Sequence, residues 1–111
     1  MEFTESLKKN RDFLRVYHKR KSRADARLVL YIRKNDTEKS RLGISVSRKV
    51  GNSVVRHRVK RLIKEAYRLH ESGFKPGYDL VFVARAASAE STYREIESSV
   101  MTLSEKQGIM V

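Results

Sequence analysis

The sequence predicts one α/β domain over residues 1–111, an α+β two-layer sandwich in which helix, two or three strands, helix, strand and helix follow one another around a mixed sheet. Three observations predict it. A chain of 111 residues has room for one modest core and no second domain. Apolar residues alternate at 28–32 and 42–46 and run almost unbroken at 78–84, the patterns of strands covered on one face or on both. Around them, residues 8–20, 53–69 and 92–106 repeat apolar positions at the helical period.

Met1 to Ser6 carries two acids and no repeat, and is expected to be a loosely held, flexible end. From Lys8 to Arg20 the pattern is helical, with Phe13 and Tyr17 four residues apart on one face and Leu14 and Val16 beside them. Such a pair ordinarily packs on a sheet. Here it stands among Lys9, Arg11, Arg15, Lys19, Arg20, Lys21 and Arg23, and aromatics among cations also suit an unstacked nucleotide strand, where each base stacks for roughly 1–3 kcal/mol.

Ser22 to Ala26 reads equally as a short strand or a turn. Arg27 to Arg33 alternates, with Leu28, Leu30 and Ile32 on one face and Val29 and Tyr31 on the other. The polar run Asn35 to Ser40 is then the connection of a hairpin. In the next strand Leu42, Ile44 and Val46 alternate with Gly43, Ser45 and Ser47. That small-residue face leaves a shallow groove beside Tyr31 for an extended ligand, or makes room for the first helix.

The stretch Arg48 to Arg68 joins a cationic run to a helical apolar period. Gly51-Asn52-Ser53 offers a flexible entry and two N-cap candidates, Asn52 and Ser53. At about 100° per residue, Val55, Val59, Leu62, Ile63, Ala66 and Leu69 share an arc of roughly 120° that faces a core. His57, Lys60, Arg61, Lys64 and Arg68 lie opposite, Arg56 and Arg58 fall on the two flanks, and Glu65 is the only acid among them. Cations in a first turn oppose the helix dipole, by roughly 0.3–1 kcal/mol each when exposed. Folding alone prefers acids there, whereas free N–H groups beside fixed guanidinium groups make a site for phosphate.

Ser72 to Gly77, with two glycines and the one proline, ends this helix. The strand Tyr78 to Ala84 follows, and its strand-helix-strand context permits parallel pairing with the earlier strand. A last helix runs from Ser91 or Thr92 to about Lys106, with Thr92 and Glu95 spaced as a capping box and Ile96, Val100 and Leu103 as its buried stripe. From Ala86 onward four acids face two cations, so this end lies away from a polyanion.

Lys and Arg number 25 against 13 Asp and Glu, a net charge of +12, which makes a polyanion the first partner to expect. No apolar run approaches the ~20 residues of a membrane span and no leader-like segment precedes the domain, so no membrane association and a cytoplasmic location are expected. The absence of cysteine removes thiol chemistry and cysteine-based metal sites. His18, His57 and His70 are scattered and no phosphate loop or carboxylate pair stands out, so the chain is expected to bind RNA rather than cleave it.

The run Arg41 to Glu65 resembles the signature of the bacterial ribonuclease P protein component, which carries a basic helix with an Arg-Asn-Arg triplet after a Gly-Asn-Ala-Val-like turn. Gly51-Asn52-Ser53-Val54 matches the turn, Arg56 and Arg58 match the two arginines, and Lys60, Arg61 and Glu65 match the residues that follow. His57 stands where the family has Asn; imidazole can still donate and accept hydrogen bonds.

The resemblance implies the order α-β-β-β-α-β-α with a left-handed crossover around the basic helix, where pattern alone predicts a right-handed one. It implies that a catalytic RNA, using Mg²⁺ that the RNA mainly holds, removes the 5′ leader of precursor tRNA; beside it, the residues lead to the expectation of no catalytic side chain, no metal held by the protein and no obligate protein partner. Arg48, Lys49, Asn52, Arg56, His57, Arg58, Lys60, Arg61, Lys64 and Arg68 are then the residues expected on ribonuclease P RNA. Phe13, Tyr17, Tyr31, Ser45 and Ser47 are those expected on the leader, by stacking and backbone contact. Asp25-Ala26 replaces the family's Asn-Arg pair, which sets an anion where a leader phosphate would pass. Without the resemblance, a ribosomal or other structural RNA-binding protein would fit the same charge. A protein-only nuclease is the enzymatic rival, and a DNA-binding helix-turn-helix fits poorly because strands flank the basic helix.

Overall fold

The strand with the most continuous apolar run takes the middle of the sheet. In the computed structural model, which describes Met1–Val111, Tyr78–Ala84 (β5) buries Leu80, Val81, Phe82 and Ala84 and is paired along both edges. It runs antiparallel to Leu28–Lys34 (β3) and parallel to Ser40–Ser45 (β4). Ser22–Ala24 (β2) adds antiparallel to β3 and Thr4–Ser6 (β1) parallel to β4, giving the order β1-β4-β5-β3-β2. The mixed sheet expected from the sequence is thus present, with five strands, and the undecided segment after the first helix is a strand.

Two expectations are corrected. Asn35 to Ser40 does not close a hairpin, because β5 lies between β3 and β4. A strand apolar on both faces gains most where both neighbours are strands, and the polar connection spans the gap: the Asn35 N–H donates to the Gly77 carbonyl at 2.9 Å and its Nδ2 to Asp79 at 2.9 Å. Nor is the N-terminal end loose. Thr4–Ser6 pairs with Ser40–Leu42, the Glu2 and Phe3 amides donate to the Glu71 carboxylate at 3.0 and 3.1 Å, and the Thr4 and Tyr67 hydroxyls share a 2.8 Å hydrogen bond. These partners are far downstream, so nothing within residues 1–6 could announce them.

One sheet face carries Leu28, Leu30, Ile32, Leu42, Leu80 and Phe82 and packs on Ser53–His70 (α2) and Tyr93–Lys106 (α3). The other carries Val81, Tyr31 and Val83 beneath Asn10–His18 (α1), whose Val16 is fully buried. The two-layer expectation therefore gains a third, partial layer: α1 is too short to cover its whole face. Gly43 lets it come close, since a Cβ there would stand 2.7 Å from Phe13 Cε1.

The buried arc of α2 is Val59, Ile63, Ala66 and Tyr67, with Val55 and Leu62 half-buried. Leu69, expected in the core, is 54% exposed. Tyr67 takes that place because β1 partners its hydroxyl and Phe74 lies against its ring, with centroids 4.7 Å apart. The last helix starts where its spacing predicts, Thr92 Oγ1 accepting from the Glu95 amide at 3.2 Å and Glu95 Oε1 from the Thr92 amide at 2.9 Å.

Candidate nucleic-acid interface

Asn52 starts the basic helix. Its Oδ1 accepts from the Val55 amide at 3.0 Å and no acid occupies the first turn, so the remaining N–H groups keep their positive end uncompensated. Of the two cap candidates, Asn52 therefore takes the role, which engages the side-chain oxygen of a residue also expected on RNA. His57, Lys60, Arg61 and Lys64 are exposed and form no ion pair, and Arg48 and Lys49 are exposed in the turn between β4 and α2. Ammonium and guanidinium groups without an internal partner can form charge-assisted hydrogen bonds to an external anion.

Three expected contacts stand differently. Arg56 is half-buried, its Nε shielded and without a hydrogen-bond partner. It lines a hollow of about 440 Å³ together with Ser45, Ser53, His57 and Lys60. Arg58 turns to the opposite flank, where Nη2 donates to the Ser91 carbonyl at 2.8 Å and Nη1 to that of Ala89 at 3.4 Å. Arg68 forks onto Glu65, with Nε at 3.1 Å from Oε2, which compensates its charge within the helix.

Across β4 the aromatic set comes together. The rings of Tyr17 and Tyr31 meet edge to face at 5.0 Å and those of Phe13 and Tyr17 lie 6.4 Å apart. Burial pushes the Tyr17 phenol above its ordinary range, the neighbouring Ser45 hydroxyl works the other way, and Tyr31 adds to the rise. The phenol is therefore a hydrogen-bond donor at neutral pH. Ser45 pairs in register with Val83 beside this aromatic cluster and also lines the hollow of Arg56, so the two expected surfaces adjoin there. Ser47 is not with the rings; it is exposed beyond the end of β4, its carbonyl accepting from the Val50 amide at 3.1 Å as the chain turns into α2.

Val83 is a groove residue that sequence reasoning missed. It packs against the buried cluster of Leu7, Val16 and Val81 that Phe13, Tyr17 and Tyr31 also join, yet in an unbroken apolar run no alternation shows which face it takes. Asp25 acts on its own turn, where Oδ1 accepts from the Arg27 and Leu28 amides at 2.8 and 2.9 Å and shapes the β2–β3 connection. Burial raises its carboxyl, but those hydrogen bonds and the Arg27 charge help hold it below the ordinary carboxylate range. No three His, Asp or Glu side chains gather into a group able to hold a metal ion.

Residues 1–108 match the Ribonuclease P family. Among similar proteins, the ribonuclease P protein component of Clostridium novyi is 55% identical over 111 residues, covering 98% of each chain. That of Alkaliphilus metalliredigens is 51% identical over 110 residues, covering 99% of each. Among solved structures, a Staphylococcus aureus RNase P protein superposes with a TM-score of 0.88 at 34% identity, covering 96% of this chain and 97% of that one. The RNase P protein from Thermotoga maritima superposes with 0.83 at 29% identity, covering 92% and 96%.

Proposed function

The chain belongs to the ribonuclease P protein family, and we propose that it grips two RNAs at once: the catalytic RNA through the exposed cations of α2, and the 5′ leader of precursor tRNA through the aromatic groove. The adjacency of the two surfaces at Ser45, which pairs with Val83 on one side and lines the hollow of Arg56 on the other, is the observation that carries this reading. A purely structural RNA-binding protein needs the first surface but not the second. On the α2 side the contacts are Arg48, Lys49, Arg56, His57, Lys60, Arg61 and Lys64, with the positive end of the helix behind them. On the groove side Phe13, Tyr17 and Tyr31 offer ring faces and edges to unstacked bases, and Ser45 and the Tyr17 hydroxyl offer hydrogen bonds to the sugar-phosphate chain.

Cleavage falls to the RNA in this proposal, with Mg²⁺ held there. The chain's own side chains do not fit a metal site. What the protein supplies is neutralisation of phosphates that would otherwise repel one another across the assembled RNAs, together with a hold on the leader. No helix is long and apolar enough to cross a membrane, and the proposed substrate places the protein in the cytoplasm.

Tyr17→Ala tests the groove. The holoenzyme's preference for precursor over mature tRNA should fall by roughly tenfold, the value of one lost base-stacking contact, with binding of mature tRNA unchanged. Equal losses for both RNAs would contradict it.

A further inference from the structure

Arg56 and Arg58 are alike in kind, two arginines at the start of a basic helix whose period sets them on opposite flanks. Two residues apart on a helix is about 200° of rotation, so they cannot serve one face. Arg56 goes to the β4 side, with Ser45. Arg58 goes to the α3 side, where both of its hydrogen bonds are to main-chain carbonyls.

Those carbonyls end the 3-10 segment Ala86–Glu90 and precede the Thr92 cap of α3. The segment's other hydrogen bonds are largely internal: the Ser88 amide and hydroxyl donate to the Arg85 carbonyl at 2.9 and 2.7 Å, the Ser91 amide to Ser88 at 3.2 Å, and the Ser91 hydroxyl to Ala87 at 3.0 Å. Its hydrogen bonds to α2 both come from Arg58. A guanidinium presents two donors in a fixed fork, which a lysine cannot copy. With its head on the carbonyls, the Arg58 side chain becomes one wall of a hollow of about 490 Å³ shared with Ser53, Val54, His57 and Arg61.

We propose that Arg58 is a positioning residue: it forks onto the Ser91 and Ala89 carbonyls, holds the 86–91 segment against α2, and fixes the wall against which His57 and Arg61 meet RNA, while making no phosphate contact itself. The proposal rests on the reading that α2 docks on RNA. It separates two arginines that the family signature treats alike.

The test measures affinity for ribonuclease P RNA across a KCl series, at a temperature where circular dichroism shows every variant folded, for wild type, R56A, R58A and R58K. Amide exchange of Ser91 and Thr92 is followed in the free proteins. R56A should reduce the log–log salt slope by about one. Both R58A and R58K should keep the wild-type slope, weaken binding by about three- to tenfold, and speed Ser91 exchange by about tenfold. R58K matching wild type in affinity while R58A loses one unit of slope would overturn the proposal, since a point charge would then suffice. Unchanged Ser91 exchange in both variants would overturn it too. If R56A leaves the slope unaltered, the docking of α2 is contradicted instead, and the exchange data decide the clamp on their own. Should R58A not fold, R58K alone decides, because it keeps the charge and loses the fork.

Discussion

Arg68 and Lys64 sit one turn apart on the exposed face of α2, but only Lys64 is free. Arg68→Ala removes a cation already compensated by Glu65, so RNA affinity should change less than twofold and the salt slope should stay as in wild type. A titration at several KCl concentrations checks this, and a slope lower by one would mean the Glu65 pair opens on binding. Asp79 makes the opposite point. It is fully buried, and Arg41 Nε and Nη2, Arg33 Nη1 and Asn35 Nδ2 surround its carboxylate at 2.9, 2.8, 3.2 and 2.9 Å. Burial pushes its carboxyl upward, but the hydrogen bonds from Arg41 and Asn35 and the charges of Arg41 and Arg33 hold it below the ordinary range. Its folded value is depressed, so the stability it contributes is present above the unfolded value and is lost as pH falls through the folded one. Asp79→Ala should cost about 3–5 kcal/mol at neutral pH, a deficit that narrows in acid; urea denaturation at pH 7 and pH 3 measures both. The charge type of each residue was legible in the sequence. Which cations stay free was not, because Glu65 could pair with several neighbours and Asp79 finds its arginines on two other strands.

At the scale of elements, what depends on neighbouring residues was legible. The Asn52 cap and the Thr92–Glu95 box lie where their spacing places them, because each bond closes within one helical turn. What depends on distant strands was not. β1 pairs with β4, and β5 enters between β3 and β4, so neither the ordered start nor the absence of a hairpin could be read from turn chemistry. The small-residue face of β4 left two uses open, and the structure supports the packing use for Gly43: it admits Phe13 and seats α1. Gly43→Ala would bring a methyl group within 2.7 Å of the Phe13 ring and 3.2 Å of Leu7 Cδ2. The strand should survive while α1 tilts, costing about 1–3 kcal/mol and displacing Tyr17 from Tyr31. Thermal unfolding reports the first effect. The second should appear as a reduced preference for precursor tRNA, and retention of both stability and preference would show that α1 adjusts without loss.

Across the whole molecule the net charge of +12 is unevenly spread. Two of the three acids of α3 are engaged away from the free cations of α2: Glu95 pairs with Arg27 at 2.9 Å and Glu97 meets His70 at 2.9 Å. A protein so charged repels itself as it folds, and a polyanion relieves that repulsion while it docks. Composition alone made the partner's sign legible; the proposal that it meets one flank of α2 and the neighbouring aromatic cluster required the fold. The central claim is a division of labour in which this chain binds and a partner RNA cleaves. Its most direct measurement is leader release from precursor tRNA at low Mg²⁺, with the protein alone, with ribonuclease P RNA alone, and with the two together. The account predicts no release by the protein, little by the RNA, and rapid release by the pair; cleavage by the protein alone, or no gain on adding it to the RNA, would contradict it.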